Sequence, residues 1–440
     1  MSPKIVLATF GSLGDLHPFI SVALALRTRG ASPLLAVPHD FVEKCRAAGI
    51  EAEGCVPSFA DVARTIGLHD KRATRKAIKS TEFMIRKSVL PSLATSTELL
   101  DRIASDAHAI VGSTFALAAP IVAEKYGIPF VSGVLQPMGW FSPLDPPLTP
   151  DFKLYAKPPL GPFKAEWNQF VARFLGLVTR LQYGRHIDKV RRAQGLPKSG
   201  AAPILEPGTK PAVSLGLYSP VLRSLPADTP QSARLTGFPW FDSEDGAAPK
   251  LDAELAAFLD SGPAPLVISL GTVVPIAASE FYQRSVAIAC ELGLRAVLLT
   301  AETMPASSPD IIVRSYAPHS LLFPRAAAIV HHGGIGTTGQ ALRAGVPQLV
   351  IPFMADQFDN AARIVRMGVG LLTSQRRYKS EGIKLLRRLL DEQEFALTAA
   401  GIGQRVREED GAGVAADAIM RIVTSALHTR AAVTESPAFG

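Results

Sequence analysis

Eight consecutive residues, His331-His332-Gly333-Gly334-Ile335-Gly336-Thr337-Thr338, carry the densest chemical signal in the chain. They lie between an apolar run, Ala328 to His331, and a helix-patterned stretch that stops at Gly345. Glycines there let backbone amides come close to a ligand. Thr337 and Thr338 add hydroxyls at the start of a helix whose N-terminal end attracts anions. A diphosphate fits such a cradle. Gly334-Ile335-Gly336-Thr337-Thr338-Gly339 also satisfies the dinucleotide fingerprint, with Asp356 as its downstream acid. The nicotinamide reading is set aside because Asp356 falls beyond Pro352, past the tip of the strand Gln348 to Ile351 where a ribose-binding acid belongs. No Gly-Lys-Ser/Thr follows a Gly-rich run, so an ATPase P-loop is missing, and no Asp-x-Asp pair is present to hold a metal.

A second group of polar residues follows the first apolar run, in Gly11-Ser12-Leu13-Gly14-Asp15 and His17. A carboxylate in a strand-to-helix turn can act as a general base, or it can simply be a favourable charge near a helix N-terminus. His17, immediately before Pro18, is the rival base. Its alternative is a cap or packing residue on a helix running from Pro18 to Arg29.

The elements that must position these residues are legible from periodicity. Ile5 to Ala8 is an apolar strand, after which Phe19, Ile20, Val22, Ala23, Leu24 and Leu26 recur at helical spacing until Gly30. Pro33 to Val37 is the next strand, so the chain opens with a βαβ unit and a parallel sheet covered on both faces. The pattern returns at Ala109 to Val111 and at Ile128 to Val131. Gln136 to Pro162, rich in proline and aromatic residues, is too long for a tight connection and reads as a functional loop, before helical patterning from about Glu166 to Gln194. A second α/β run starts near Leu251, with strands at Leu266 to Leu270, Arg295 to Leu299, Ile311 to Val313, Ala328 to His331 and Gln348 to Ile351. Thr236 to Lys250 has little apolar periodicity and marks a linker. The expectation is an α/β protein of two doubly wound, Rossmann-like domains facing across a cleft: residues 1–238, a linker 239–250, residues 251–427, and a frayed tail 428–440.

From Tyr316 to Asn360 the ordered pieces Tyr-Ala-Pro-His, His-His-Gly-Gly-Ile-Gly-Thr-Thr, Ala-Gly-Val-Pro and Asp-Gln resemble the donor-binding signature of family 1 nucleotide-sugar glycosyltransferases of the GT-B fold. Gly11 to Asp15 and Ser269-Leu270-Gly271-Thr272 join the resemblance, whose flavour is that of the bacterial rhamnosyltransferase-like and sterol glucosyltransferase-like branches. It implies an inverting transferase that moves a hexose or deoxyhexose from a UDP- or dTDP-linked donor to a hydroxyl of a lipophilic small molecule or lipid. The nucleotide sugar is then a co-substrate, with no further cofactor and no metal. The resemblance puts Ala317, Pro318 and His319 beside the base, and His332, Gly334, Gly336 and Thr337 on the diphosphate, with Thr272 opposite. Asp356 and Gln357 match a pair that holds sugar hydroxyls. Gln340 stands where plant relatives have a ribose-binding glutamate, which leaves uridine and thymidine both open. In many relatives a histidine occupies the place of Asp15 and a later aspartate assists it. This chain has Asp15 and Ser113 there, which implies a single carboxylate base with His17 as its rival. Ser12, Gly14, Trp140 and Phe141 are expected to border the acceptor. A nucleotide-sugar epimerase and a non-catalytic nucleotide-sugar-binding protein share the same plan, and a base at Asp15 separates transfer from binding.

The 440 residues carry a net charge of +7 without any nucleic-acid recognition motif. Basic and apolar residues interleave from Arg64 to Leu90, which fits either a solvated helical face or contact with an anionic membrane. Together with the apolar loop from Met138 to Leu148, this stretch predicts an acceptor exchanged with a membrane surface. Cys45, Cys55 and Cys290 show no paired metal-ligand spacing. No apolar run approaches the ~20 residues that span a bilayer, and the first one meets Gly11 too soon for a signal peptide. The expected location is the cytoplasm, with peripheral contact to the inner face of the cell membrane.

Overall fold

Ile5, Val6 and Leu7 form an apolar run without alternation because both faces of their strand are covered. Ile5 and Leu7 enter one core layer, and Val6 and Ala8 the other. The computed structural model describes residues 2–58, 61, 64, 81–202, 205–206, 208–243, 248–271, 279–301 and 308–435. Among them, β1 (Lys4–Ala8), β2 (Ser32–Pro38), β3 (Glu51–Val56), β4 (Ala109–Ser113), β5 (Phe130–Val134), β6 (Val213–Gly216) and β7 (Ala233–Leu235) make a seven-stranded sheet ordered β3-β2-β1-β4-β5-β6-β7. A six-stranded sheet ordered β10-β9-β8-β11-β12-β13 holds β8 (Leu266–Ser269), β9 (Ala296–Leu299), β10 (Ile311–Arg314), β11 (Ala328–His331), β12 (Gln348–Val350) and β13 (Gly370–Leu372). Neighbouring strands run parallel throughout. Each sheet reverses its order beside its first strand, so a crevice opens beyond β1 and β4 in one and beyond β8 and β11 in the other. The two polar groups singled out above follow β1 and β11.

Around the first sheet lie α1 (Leu13–Thr28), α2 (Val42–Ala47), α3 (Leu90–Ala104), α4 (Ala118–Lys125) and α5 (Pro162–Ala193). The second part of the chain contributes α6 (Ala253–Asp260), α7 (Ser279–Glu291), α8 (His319–Leu322), α9 (Ile335–Ala344), α10 (Gln357–Arg366), α11 (Gln375–Asp391), α12 (Gln393–Arg407) and α13 (Gly411–Glu435). No helix among the described residues is long and apolar enough to cross a membrane.

Three expectations need correction. α1 starts at Leu13, ahead of Pro18, so Asp15 lies in its first turn and His17 inside it. Pro18 has no N–H to give to the preceding turn, and the helix accepts that loss close to its start. The last helix, counted with the second domain to residue 427, packs instead on the first: Ala415, Ala416, Ile419 and Val423 are buried in the same core as Ala23 and Leu26 of α1, and Arg29 pairs with Asp417 at 2.6 Å. Burying an Ile or Val side chain contributes about 1.5–3 kcal/mol, which favours the crossing. The tail expected from residue 428 is helical as far as Glu435.

The chain therefore crosses between domains twice, and the crossings touch. A Cβ on Gly411 would lie 2.5 Å from the carbonyl carbon of Phe238, so only glycine fits. The first crossing is wedged by aromatic rings. Phe238 lies against Gly339 of α9, Trp240 sits under the Arg343 guanidinium at 4.8 Å, and Ser21 of α1 donates to the Trp240 carbonyl at 3.0 Å.

Candidate active site

On the first-domain side, Ser12 caps α1 and Asp15 completes a capping box. Asp15 Oδ2 accepts from the Ser12 amide at 2.7 Å and from the Ser12 hydroxyl at 3.2 Å, while Ser12 Oγ accepts from the Gly14 amide at 3.3 Å. Those bonds favour the charged form, yet burial outweighs them and pushes the Asp15 carboxyl up to about 6. Thr9 donates to the Asp15 carbonyl at 3.3 Å, and Thr9 also lines an apolar recess with Phe10, Val56, Val89, Leu93 and Phe115. Ser113 lies at the end of β4 beside this turn, where its hydroxyl accepts from the Phe10 amide at 3.3 Å rather than engaging Asp15.

His17 is placed differently. Its ring meets Phe241 edge-on at 5.3 Å, and burial, with help from Lys44, pulls its pKa down to about 4 against the opposing charge of Asp242. His17 is thus neutral at pH 7 and turned toward the linker, with Nε2 buried and unpartnered.

On the second-domain side, β11 ends in two histidines with separate tasks. His331 Nδ1 accepts from the Gly333 amide at 3.1 Å, so the proton is on Nε2, which donates to Gln348 Oε1 at 2.9 Å. That pairing locks the turn. The His332 ring is pressed between Gly271 and Gly334: a Cβ on either would come within 2.8 Å or 2.4 Å of the ring. Burial pulls the His332 pKa down to about 4, against a hydrogen bond with the Ser269 backbone, and Nδ1 is buried with no partner. The α9 helix begins at Ile335 without any side-chain cap, and nothing crowds Gly336. Thr337 is buried, and Thr338 Oγ1 and Gln340 Oε1 are buried without partners. Buried polar atoms in native proteins are almost always hydrogen-bonded, so this set around one helix start suits a polar ligand or ordered water. Thr272 lies outside the described residues.

Ala317 and Pro318 are buried ahead of α8, and His319 stacks on Phe323 at 4.3 Å. Burial lowers the His319 pKa against the charge of Asp242. Asp242 was not singled out in the sequence, although it organises this corner. Its carboxylate accepts from Tyr316 Oη at 3.1 Å and from the Ser320 amide at 2.6 Å, tying the linker to α8.

Asp356 and Gln357 open α10, next to Ala355, whose φ of 46° is unusual for a residue with a side chain. Burial pushes the Asp356 carboxyl up to about 7, and the negative charge of Asp15 adds to the rise. Asn360, one helical turn on, donates to Asp356 Oδ2 and to the Gly333 carbonyl, each at 2.9 Å. It was missed, although its place four residues after Asp356 was a usable signal. Gln357 spends its Oε1 on the Phe353 and Met354 amides at 2.9 and 3.1 Å, bracing its own turn.

The long loop after β5 also reaches the second domain. Trp140 packs inward against Tyr218, with ring centroids 5.9 Å apart, and Phe141 packs on Phe152 at 4.9 Å. Asp145 binds Arg223 at 2.6 Å and Arg363 of α10 at 3.1 Å, Arg363 binds Asp359 at 2.9 Å, and Asp359 accepts from the Leu148 amide at 3.0 Å. Burial would raise the Asp145 pKa, and Arg363 and Arg223 more than offset it, so its carboxylate stays charged.

Two parallel α/β sheets, with a carboxylate in the turn after β1 and an open glycine-rich helix start after β11, make up the two-domain architecture of the chain. Residues 297–432 match the family described as erythromycin biosynthesis protein CIII-like, C-terminal domain. The chain is 30% identical to the vancomycin aglycone glucosyltransferase of Amycolatopsis orientalis, over 84% of this chain and 85% of that protein. It is 28% identical to the O-mycaminosyltylonolide 6-deoxyallosyltransferase of Streptomyces fradiae, over 93% of this chain and 94% of that one. The sterol 3-beta-glucosyltransferase of Aspergillus terreus is 29% identical over 96% of this chain, which spans 30% of that protein. Among solved structures, the glycotransferase of kitacinnamycin superposes with a TM-score of 0.71 at 19% identity, covering 96% of this chain and all of that one (100%). The glycosyltransferase VinC, in complex with dTDP, superposes with a TM-score of 0.67 at 19% identity over the same shares, 96% and 100%. The chain belongs to the family 1 glycosyltransferases of the GT-B fold.

Proposed function

We propose that this glycosyltransferase is inverting and metal-independent, taking a hexose or deoxyhexose from a UDP- or dTDP-linked donor to a hydroxyl of a lipophilic acceptor. The observation that carries the reading is a buried carboxylate, Asp15, in the turn after β1 of one sheet, and a cradle of His332, the α9 start and Asp356 after the strands of the other, whose acid feels the Asp15 charge. In the reaction, Asp15 takes the acceptor hydroxyl proton as that oxygen attacks the anomeric carbon. The bond from that carbon to the diphosphate oxygen breaks on the opposite face, and the nucleoside diphosphate leaves with the electron pair. A carboxyl held at about 6 is ionised at neutral pH and still basic enough to accept a proton. The α9 amides and the neutral His332 ring receive the charge that grows on the leaving group. Asp356, backed by Asn360, is the acid placed to hold sugar hydroxyls.

The three relatives, named for O-mycaminosyltylonolide, vancomycin aglycone and a sterol, support a lipophilic acceptor. The expected membrane surface has less support. Residues 65–80 of the basic stretch fall outside the described residues, and in the loop Trp140 packs on Tyr218 and Phe141 on Phe152. No observation favours an epimerase or a silent binder.

Asp15→Asn keeps the shape of the turn and removes the proton acceptor. Transfer should fall roughly 10²–10⁴-fold with donor affinity nearly unchanged, and His17→Ala should cost less. An active Asp15→Asn with a dead His17→Ala would move the base to His17. A product with the anomeric configuration of the donor would rule out the inverting route, and a loss of activity with chelator would rule out metal independence.

A further inference from the structure

Along the outer side of α5, Phe163, Trp167, Phe170, Phe174, Leu177 and Leu181 recur at alternating steps of four and three, a single helical stripe. They are 87%, 48%, 58%, 47%, 53% and 70% exposed. Trp167 and Phe170 lie 5.7 Å apart by ring centroid, and Phe170 stacks on Phe174 at 6.4 Å. The other side of the helix already supplies its contact with the domain, through Asn168, Val171, Tyr183, Ile187 and Arg191. Isolated exposed apolar residues are ordinary on a protein surface. Six in line on one helix make a surface that water penalises and a partner would cover.

The charges around the stripe say which partner. Between Pro162 and Leu181 the exposed cations are Lys164, Arg173 and Arg180, against a single acid, Glu166. Exposed Arg185 and Lys189 extend the positive edge along the same helix. A second copy docked on this seam would bring one net-positive edge against another. An anionic bilayer pairs with every cation while the rings and leucines enter the headgroup boundary, where Trp, Phe and Leu on a basic helix are most at home.

We propose that this face of α5 docks the enzyme on an anionic lipid bilayer. The same turns of α5 hold the acceptor-side loop. Asn168 accepts from the Ala156 amide at 2.7 Å and donates to the Pro143 carbonyl at 3.1 Å, and Trp167 Nε1 donates to the Leu154 carbonyl at 2.7 Å. That loop reaches α10 through Leu148. Docking thus sets the loop that joins both domains next to the lipid, which extends the reading of a lipophilic acceptor and rests on it for its purpose.

The test is co-sedimentation of the full-length protein with vesicles of phosphatidylcholine alone or mixed with phosphatidylglycerol, at low and high salt. Wild type should sediment with the mixed vesicles at low salt and be released by high salt. The triple variant Phe163→Ser, Phe170→Ser, Leu177→Ser should bind at least about tenfold more weakly. Arg173→Gln with Arg180→Gln should lose about fivefold for each charge. Leu397→Ser, a control at an exposed apolar residue of α12, should bind like wild type. Unaltered melting temperature and unaltered transfer to a water-soluble phenol would show the triple variant folded. Absence of wild-type binding to the mixed vesicles, or equal binding by the triple variant, would overturn the proposal. So would a wild-type dimer by sedimentation velocity that the triple variant renders monomeric without any vesicle binding, which assigns the face to a second copy. Vesicle binding by a protein that transfers no sugar would sink the proposed reaction and leave the docking face standing.

Discussion

Asp15 and Asp356 come from turns far apart in sequence, and burial holds one at about 6 and the other at about 7, with the Asp15 charge adding to the rise of Asp356. Because the base must be ionised to work, kcat/KM should fall as pH drops through about 6, and a pH profile of the free enzyme measures that limb. Stability moves in the opposite sense. An acid whose folded pKa lies above its unfolded value, near 3.8, stabilises the fold fully below that lower value and loses the contribution as pH climbs through about 7. Asp356→Asn is neutral throughout, so it should be more stable than wild type at pH 8 by roughly 2–4 kcal/mol, with the gain gone by pH 4, as followed by thermal melting. Its transfer rate should drop, since a sugar contact is lost. His332→Ala should slow transfer about 10²-fold, the usual loss for one charge-stabilising donor, and unchanged donor binding with unchanged rate would take His332 out of the site.

At the scale of elements, α10 is held from both sides. Its first turn carries Asp356 and Gln357, and its inner face is fixed by Asp359 and Arg363 to Asp145 of the loop after β5. Arg363 is 4% exposed and Asp359 is fully buried, so each charge depends on its partners. Arg363→Met leaves Asp145 and Asp359 short of a counter-charge and should cost about 3–5 kcal/mol, measured by chemical denaturation. Adding Asp359→Asn to that variant should recover part of the loss. A cost below about 1 kcal/mol for Arg363→Met would mean that water already screens the cluster. The loop and α10 were each legible as local patterns. Nothing in either stretch, however, names the acid of one as the partner of the arginine of the other, because the pairing spans more than two hundred residues.

For the whole molecule, ligand binding should stabilise both domains together, since the chain crosses between them twice and the crossings pack on each other. A nucleoside diphosphate at about 100 times its Kd should add about 2.7 kcal/mol to the folded state, visible as a single cooperative transition shifted upward. Two transitions, with only one responding, would show that the domains melt independently. The sequence alone determined the two parallel sheets and the chemistry of the turns after β1 and β11. Continuous apolar strands followed by glycine and a helix are a local code, with residues no more than a few positions apart. It under-read the short edge strands β3, β7 and β13, whose one-sided cover leaves a weaker apolar pattern, and the buried but short β6. Only the tertiary structure decided that α13 packs on the first domain, that His17 packs on Phe241 of the linker while Asp15 closes the cap of α1, that Trp140 packs on Tyr218, and that the aromatic stripe of α5 is left exposed. An apolar helical stripe specifies that a face wants cover, and its amphipathic pattern is the same whether the cover is its own domain, the other domain or a surface outside the molecule. Which one it meets depends on where the rest of the chain has folded, and that is set by packing across hundreds of residues rather than by the stripe itself.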